Sequence, residues 1–160
     1  MKKLSIKTDI SVYDTPEALA DPLRELLALA HLSLADAYAP YSNFQVGAAV
    51  LLNNGIMLKG SNQENAAYSV CICAERVALS AAASQYPKVG VKAIAITARS
   101  PRTTIQQPIS PCGTCRQFMV EVEDKLGQAF QVILQGEEGP IYVVDSAKDL
   151  LPLSFDASYL

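Results

Sequence analysis

Val46-Gly47-Ala48-Ala49-Val50-Leu51-Leu52-Asn53-Asn54-Gly55-Ile56-Met57-Leu58-Lys59-Gly60 decides how the rest of the chain is read. Val46 to Leu52 is a short apolar run suited to a buried strand. Asn53-Asn54-Gly55 supplies turn residues, and Ile56 to Gly60 returns as the paired strand. A sheet starts here, and its neighbours in sequence say what covers it.

Upstream, Leu23, Leu26, Leu27, Ala30, Leu34 and Ala37 recur at helical spacing, which predicts an amphipathic helix from Pro22 to about Tyr38, ended by Pro40. Thr15-Pro16 and Asp21-Pro22 each read as an N-cap followed by a first-turn proline. Residues 1–14 alternate weakly through Leu4, Ile6, Ile10 and Val12, as an extended arm with no assigned function. Downstream, a helix is predicted from Cys73 to Gln85, stopped by Pro87, then a central strand from Val91 to Thr97. Arg99 to Ser110, with Pro101 and Pro108, reads as a loop. Ser110-Pro111 resembles another cap, opening a helix from Cys112 to about Leu126. Phe130 to Leu134 and Ile141 to Val144 read as strands joined across a Gly136-to-Gly139 turn, and Ser146 with Asp149 marks a short helix ending at Pro152. This alternation predicts an α/β fold, a sheet with helices on both faces. It forms one domain over residues 21–160 with an N-terminal extension over 1–20.

The chain has 160 residues, half of them apolar, enough for a core without disulfides. Its net charge is −3 and its pI about 5.1. No basic stripe suited to a polyanion is present, which argues against a nucleic-acid partner and for a small neutral molecule. Lys7 and Asp9 break the apolar run that a signal peptide needs after Met1-Lys2-Lys3-Leu4, and no stretch is long enough to span a bilayer. A soluble, cytoplasmic protein without a membrane partner is expected.

The four cysteines stand at 71, 73, 112 and 115. In a cytosolic chain such pairs point to metal or redox chemistry. Cys73-Ala74-Glu75-Arg76 and Pro111-Cys112-Gly113-Thr114-Cys115-Arg116 each fall at a predicted helix start, where unpaired N–H groups and the helix dipole favour thiolate. Cys112 and Cys115, three apart, share one helix face, and Cys73 can add a third ligand. Three protein ligands leave the fourth position of zinc open, as in catalytic sites. Glu75 is placed to manage protons, and Arg76 to offset the negative charge of three thiolates. If Cys71 also bound, the site would be closed and structural. Residues two apart on a helix point about 200° apart, so Cys71 reads instead as a buried apolar thiol. In an extended segment both could face one ion. His31, the only histidine, lies within the first helix, far in sequence from the cysteines, and reads as a helix-surface or packing residue.

The Cys-x-Glu and Pro-Cys-x-x-Cys pattern is that of zinc-dependent deaminases. Further stretches extend the likeness: Tyr38-Ala39-Pro40-Tyr41-Ser42-Asn43-Phe44, Val46-Gly47-Ala48-Ala49, Asn62-Gln63-Glu64-Asn65-Ala66, Arg116-Gln117 and Leu150-Leu151-Pro152-Leu153-Ser154-Phe155. The chain resembles the small cytidine deaminase family over roughly residues 22–156. The resemblance implies a three-layer α/β/α sandwich with a mixed sheet, and one Zn²⁺ per subunit held by Cys73, Cys112 and Cys115, with Glu75 as proton shuttle. It implies hydrolytic deamination of cytidine, and of 2'-deoxycytidine, in pyrimidine salvage. Asn62 and Glu64 would bind the ribose hydroxyls, Phe44 and Phe155 would pack around the base, and Tyr68 and Ala74 would lie at the substrate. A homotetramer with sites completed across subunits is also implied. Gln45 stands where the family usually has proline, and Cys71 where no cysteine is expected.

Three other readings use the same residues. Cys112-Gly113-Thr114-Cys115 also fits a thiol–disulfide oxidoreductase, though Cys73-Ala74-Glu75 is then unexplained. A closed four-cysteine site would make a binding module. The same chemistry could also act on a nucleic-acid base or a nucleoside-like antibiotic.

Overall fold

The computed structural model describes residues 1–160. Six strands make one sheet: β1 (Ser11–Tyr13), β2 (Gln45–Leu52), β3 (Met57–Ser61), β4 (Val91–Arg99), β5 (Gln131–Gln135) and β6 (Ile141–Val144), in the spatial order β1-β6-β5-β4-β2-β3. The β4–β5 pair is parallel and every other pair antiparallel, so the sheet is mixed. The helices are α1 (Asp21–Ser33), α2 (Ala74–Gln85) and α3 (Gly113–Leu126).

The central strands read as continuous apolar runs because both their faces are covered. Side chains alternate across a strand. Ala48, Val50 and Leu52 of β2, Ile94 and Ile96 of β4, and Val132 and Leu134 of β5 therefore share one face, packed on Ala78 and Leu79 of α2 and Met119 of α3. The intervening residues, Ala49, Leu51, Ala93, Ala95 and Ile133, pack on Leu26, Leu27 and Ala30 of α1. Three layers result, α1 below and α2 with α3 above. Each large aliphatic side chain fully buried here contributes about 1.5–3 kcal/mol.

Two glycines let the helices lie close to the sheet. A Cβ on Gly47 would sit 2.2 Å from the Ala30 carbonyl oxygen of α1. One on Gly60 would sit 2.6 Å from the Ala78 nitrogen of α2. Either side chain would push a helix off the sheet.

The elements match the expected ones within a few residues, and the caps account for most differences. Ala20, not Asp21, precedes α1; Cys73 caps α2; and Cys112, not Ser110, caps α3. Proline is tolerated anywhere in the first turn, where its missing N–H is not needed, so it does not fix the start to one residue. The first helix ends at Ser33 and tightens into a 3₁₀ turn over Leu34–Asp36. The expected Ser146 cap forms, its side chain accepting from Lys148 N–H.

The N-terminal arm is part of the sheet. Ser11 lies opposite Val143, so β1 covers the outer edge of β6, and Leu19 is buried against α1. On α3, the buried carboxylate of Glu123 accepts from the N–H groups of Phe130 (3.0 Å) and Ala147 (2.8 Å) and from the Ser146 hydroxyl (2.8 Å). It ties α3 to the start of β5 and to the turn after β6.

Candidate metal centre and catalytic cleft

The starts of α2 and α3 lie side by side on one face of the sheet, near the C-terminal ends of the mutually parallel strands β3, β4 and β5. That end is where open α/β sheets place their ligands. Cys73 and Cys112 are the N-cap residues of the two helices, and Cys115 lies within the first turn of α3. The cap residue and the third residue of a helix face each other, as in a capping box. The Sγ atoms of Cys112 and Cys115 are accordingly 3.6 Å apart. All three sulfurs lie within 4.8 Å of one another. Tetrahedral zinc with Zn–S bonds near 2.3 Å needs sulfurs about 3.8 Å apart. The donor set therefore fits a soft divalent ion held by three thiolates, with a fourth position free.

Electrostatics favour the thiolate at Cys73. The Cys73 thiol is held down to about 5, first by the hydrogen bond from Cys115 and then, against the cost of burial, by Arg76. Cys115 is pushed up, because it is the partner that keeps its proton for that bond. A terminal Arg76 nitrogen is 3.9 Å from Cys73 Sγ and donates to the Cys71 carbonyl at 3.0 Å. The Arg76 Nε–H is buried without an acceptor, a cost of a kind met at functional sites. Glu75 is 5% exposed, and its carboxyl is raised above the usual carboxylate range, mainly by burial and further by the Cys73 thiolate.

A cleft of about 310 Å³ opens beside these groups, at the small end of the range for ligand sites. Cys73, Cys112 and Glu75 form one wall, with Phe44, Val46, Asn62, Glu64, Ile72 and Ile109 around the rest. A more apolar hollow of about 200 Å³ lies between the far ends of α2 and α3, lined by Leu79, Tyr86, Phe118 and Val122, away from the cysteines.

The sequence-predicted residues divide into groups. Cys73, Cys112, Cys115, Glu75 and Arg76 come together. Phe44, Asn62 and Glu64 line the same cleft. Asn62 spends one bond of each kind on the backbone at the start of β2, Oδ1 accepting from Val46 N–H at 2.8 Å and Nδ2 donating to the Phe44 carbonyl at 2.9 Å. Ala74 is fully buried and does not line the cleft. Tyr68 stands at the rim, 75% exposed, edge-on to Tyr41 with ring centroids 6.2 Å apart. Phe155 is 58% exposed, stacks on Tyr159 and does not line the cleft of its own chain.

Cys71 lies in the extended segment that the sequence left open, and it corrects one expectation. It sits between a 3₁₀ turn and an extended Ile72 that bridges Gln63, so no helix separates it from Cys73. Even so it stays outside the sulfur cluster. It is not a buried apolar thiol either: half-buried, its Sγ accepts from Asn65 N–H at 3.2 Å. Gln45, in place of the usual proline, accepts two hydrogen bonds from Arg99. His31 donates from Nε2 to Gln135 Oε1 at 2.8 Å, far from the cysteines.

Sequence reading missed Ser42, which hydrogen-bonds Glu64, and Arg116, which donates to the carbonyls of Pro111 and Leu150, each at 2.8 Å. For Ser42 the signal was available: a serine two residues before Phe44 readily closes a side-chain turn onto its amide. Arg116 carried none, because its partners are backbone carbonyls.

A sheet under two helices whose starts bring three cysteine sulfurs within reach of one ion, beside a buried glutamate, defines a mononuclear metal-dependent hydrolase site. The comparisons narrow the class. Residues 21–128 match the cytidine and deoxycytidylate deaminase zinc-binding region. A cytidine deaminase of Halalkalibacterium halodurans is 43% identical over 121 residues, 76% of this chain and 84% of the relative. One of Sporosarcina psychrophila is 39% identical over 140 residues, 86% of this chain and 96% of the relative. The crystal structure of the Burkholderia pseudomallei cytidine deaminase superposes with a TM-score of 0.71 at 42% identity, covering 82% of this chain and 97% of that one. The chain belongs to the cytidine and deoxycytidylate deaminase family, and its cofactor is zinc.

Proposed function

We propose that the protein hydrolyses cytidine, and 2'-deoxycytidine, to the uracil nucleoside and ammonia, in pyrimidine salvage. The observation that carries this reading is the buried carboxyl of Glu75 on the cleft wall it shares with Cys73 and Cys112. Zinc, when bound, supplies Lewis acidity that makes water a nucleophile near neutral pH. Glu75 takes one proton from the attacking water and passes it to N3 of the base, as the C4–O bond forms. It then moves the hydroxyl proton of the tetrahedral carbon to the amino nitrogen. The C4–N4 bond breaks with its electrons on nitrogen, ammonia departs, and the C4 carbonyl remains. One carboxylate serves both transfers because its raised pKa suits it to both roles.

Phe44 offers its ring to the base, and Asn62 and Glu64 meet the sugar hydroxyls. The absence of any lysine or arginine from the cleft lining supports a neutral nucleoside over a polynucleotide. A homotetramer is supported by the exposed apolar rim of Tyr38, Tyr41, Tyr68, Val70 and Ile72. In that assembly Phe155 and Tyr68 reach a neighbouring subunit's cleft. No helix is long and apolar enough to cross a membrane, and a cytoplasmic location accords with four free thiols.

Ammonia release from cytidine tests the reading, with the zinc-stripped protein and Glu75→Ala alongside. Release by the zinc-loaded wild type alone is expected. A folded, zinc-loaded wild type that releases none rejects cytidine as substrate.

A further inference from the structure

Glu64 does not stand free in the cleft. Its Oε2 accepts from the N–H groups of Tyr41 at 2.9 Å and Ser42 at 3.3 Å, and its Oε1 accepts from the Ser42 hydroxyl. The oxygen of that hydroxyl in turn accepts from Phe44 N–H at 2.9 Å. Between them Asn43 has φ 57°, a left-handed conformation that asparagine tolerates and that turns the Phe44 amide back onto Ser42. The loop is also zipped to the strand end that carries Glu64. Tyr38 N–H donates to the Asn62 carbonyl at 3.0 Å, and Glu64 N–H to the Tyr38 carbonyl at 2.8 Å.

A carboxylate has about four acceptor positions. Two amides fill those of Oε2 and one hydroxyl takes one on Oε1, which leaves a single position on Oε1. The direction of that position is set by where Ser42 holds the other. The same serine oxygen fixes the amide of Phe44. One hydroxyl thus couples the residue offered to the base with the residue offered to the sugar.

We propose that Ser42 is a positioning residue for nucleoside recognition, acting through Glu64: its hydroxyl aims the one remaining acceptor of the carboxylate at a sugar hydroxyl. The inference rests on the nucleoside reading of the cleft. Ser42 itself is exposed, and its loss leaves the apolar core untouched.

The test compares the zinc-loaded wild type with Ser42→Ala, Ser42→Thr, Glu64→Gln and the Ser42→Ala/Glu64→Gln double variant. Steady-state constants are measured for cytidine, and uridine binding is followed by calorimetry. Ser42→Ala is expected to raise KM for cytidine and Kd for uridine about tenfold while kcat stays within about twofold, the mark of lost ground-state binding. Ser42→Thr, which keeps the hydroxyl, restores both constants. In the Glu64→Gln background the serine substitution adds less than about twofold, because its route to the sugar is already cut. An equal penalty in both backgrounds overturns the inference, since the serine then acts on the loop alone. So does a Ser42→Ala protein with wild-type KM and Kd. If the wild type neither deaminates cytidine nor binds uridine, the nucleoside reading fails first and this inference falls with it.

Discussion

The starts of α2 and α3 have the same plan and different duties. Each opens on a cysteine at the cap, and each has an arginine three or four residues later. At α2 the residue two beyond the cap is Glu75, which is buried, and Arg76 turns toward Cys73. At α3 the first turn offers a second sulfur instead, and Arg116 turns away to hold backbone carbonyls. In the proposed reaction one helix supplies the proton chemistry with a single sulfur for the ion, and the other supplies the remaining two sulfurs. A single cap motif can serve either purpose, and the difference lies in the residues one turn beyond it.

The largest effect expected from breaking this division is at Cys115. Cys115→Ala removes a buried ligand, and both bound zinc and turnover should be lost together, by metal analysis and ammonia release. Glu75→Gln should separate the two duties: zinc remains stoichiometric while kcat falls about 10³-fold. Loss of zinc from that variant would mean that Glu75 is a ligand. The arginines sharpen the contrast. Arg76→Gln should weaken zinc affinity about 10- to 100-fold in a chelator competition, because the thiolates lose their nearest cation. Arg116→Gln should cost about 1–3 kcal/mol in denaturant unfolding, through two carbonyls left short of a donor, with a smaller change in zinc affinity. The smallest effect is in pH. The base form of Glu75 is needed and its pKa is raised, so activity falls as pH drops through a value above the ordinary carboxylate range. The acid limb of kcat/KM should report that value.

Much of this is legible in the sequence because the relevant patterns are local. The apolar runs of β2, β4 and β5 announce strands covered on both faces, and the Cys-x-Glu and Cys-x-x-Cys spacings announce the sulfur cluster. The features that escape depend on contacts between distant segments or on freedom within a turn. Thr15 does precede a 3₁₀ turn opened by its proline, but Asp21 and Ser110 are not caps, since proline leaves a helix start free by a residue or two. Helical geometry sets Cys71 aside as a buried thiol, yet its segment is extended and bridged to Gln63, and its sulfur is satisfied by Asn65. Phe155 gives no sign in sequence that it lies on the outside of its own chain, because whether an aromatic faces in or out depends on the surfaces around it.

The pairing of β1 with β6 also sets a timetable. Ser11 meets Val143, so a segment that leaves the ribosome early waits for one made far later before its backbone donors and acceptors find partners. Closing so wide a separation is slow compared with local helix formation. During synthesis the backbone edge of Ser11–Tyr13 that later pairs with β6 remains available to other nascent chains or to chaperones. The edge that β1 turns to β6 in the finished enzyme is, for the growing polypeptide, its longest exposure.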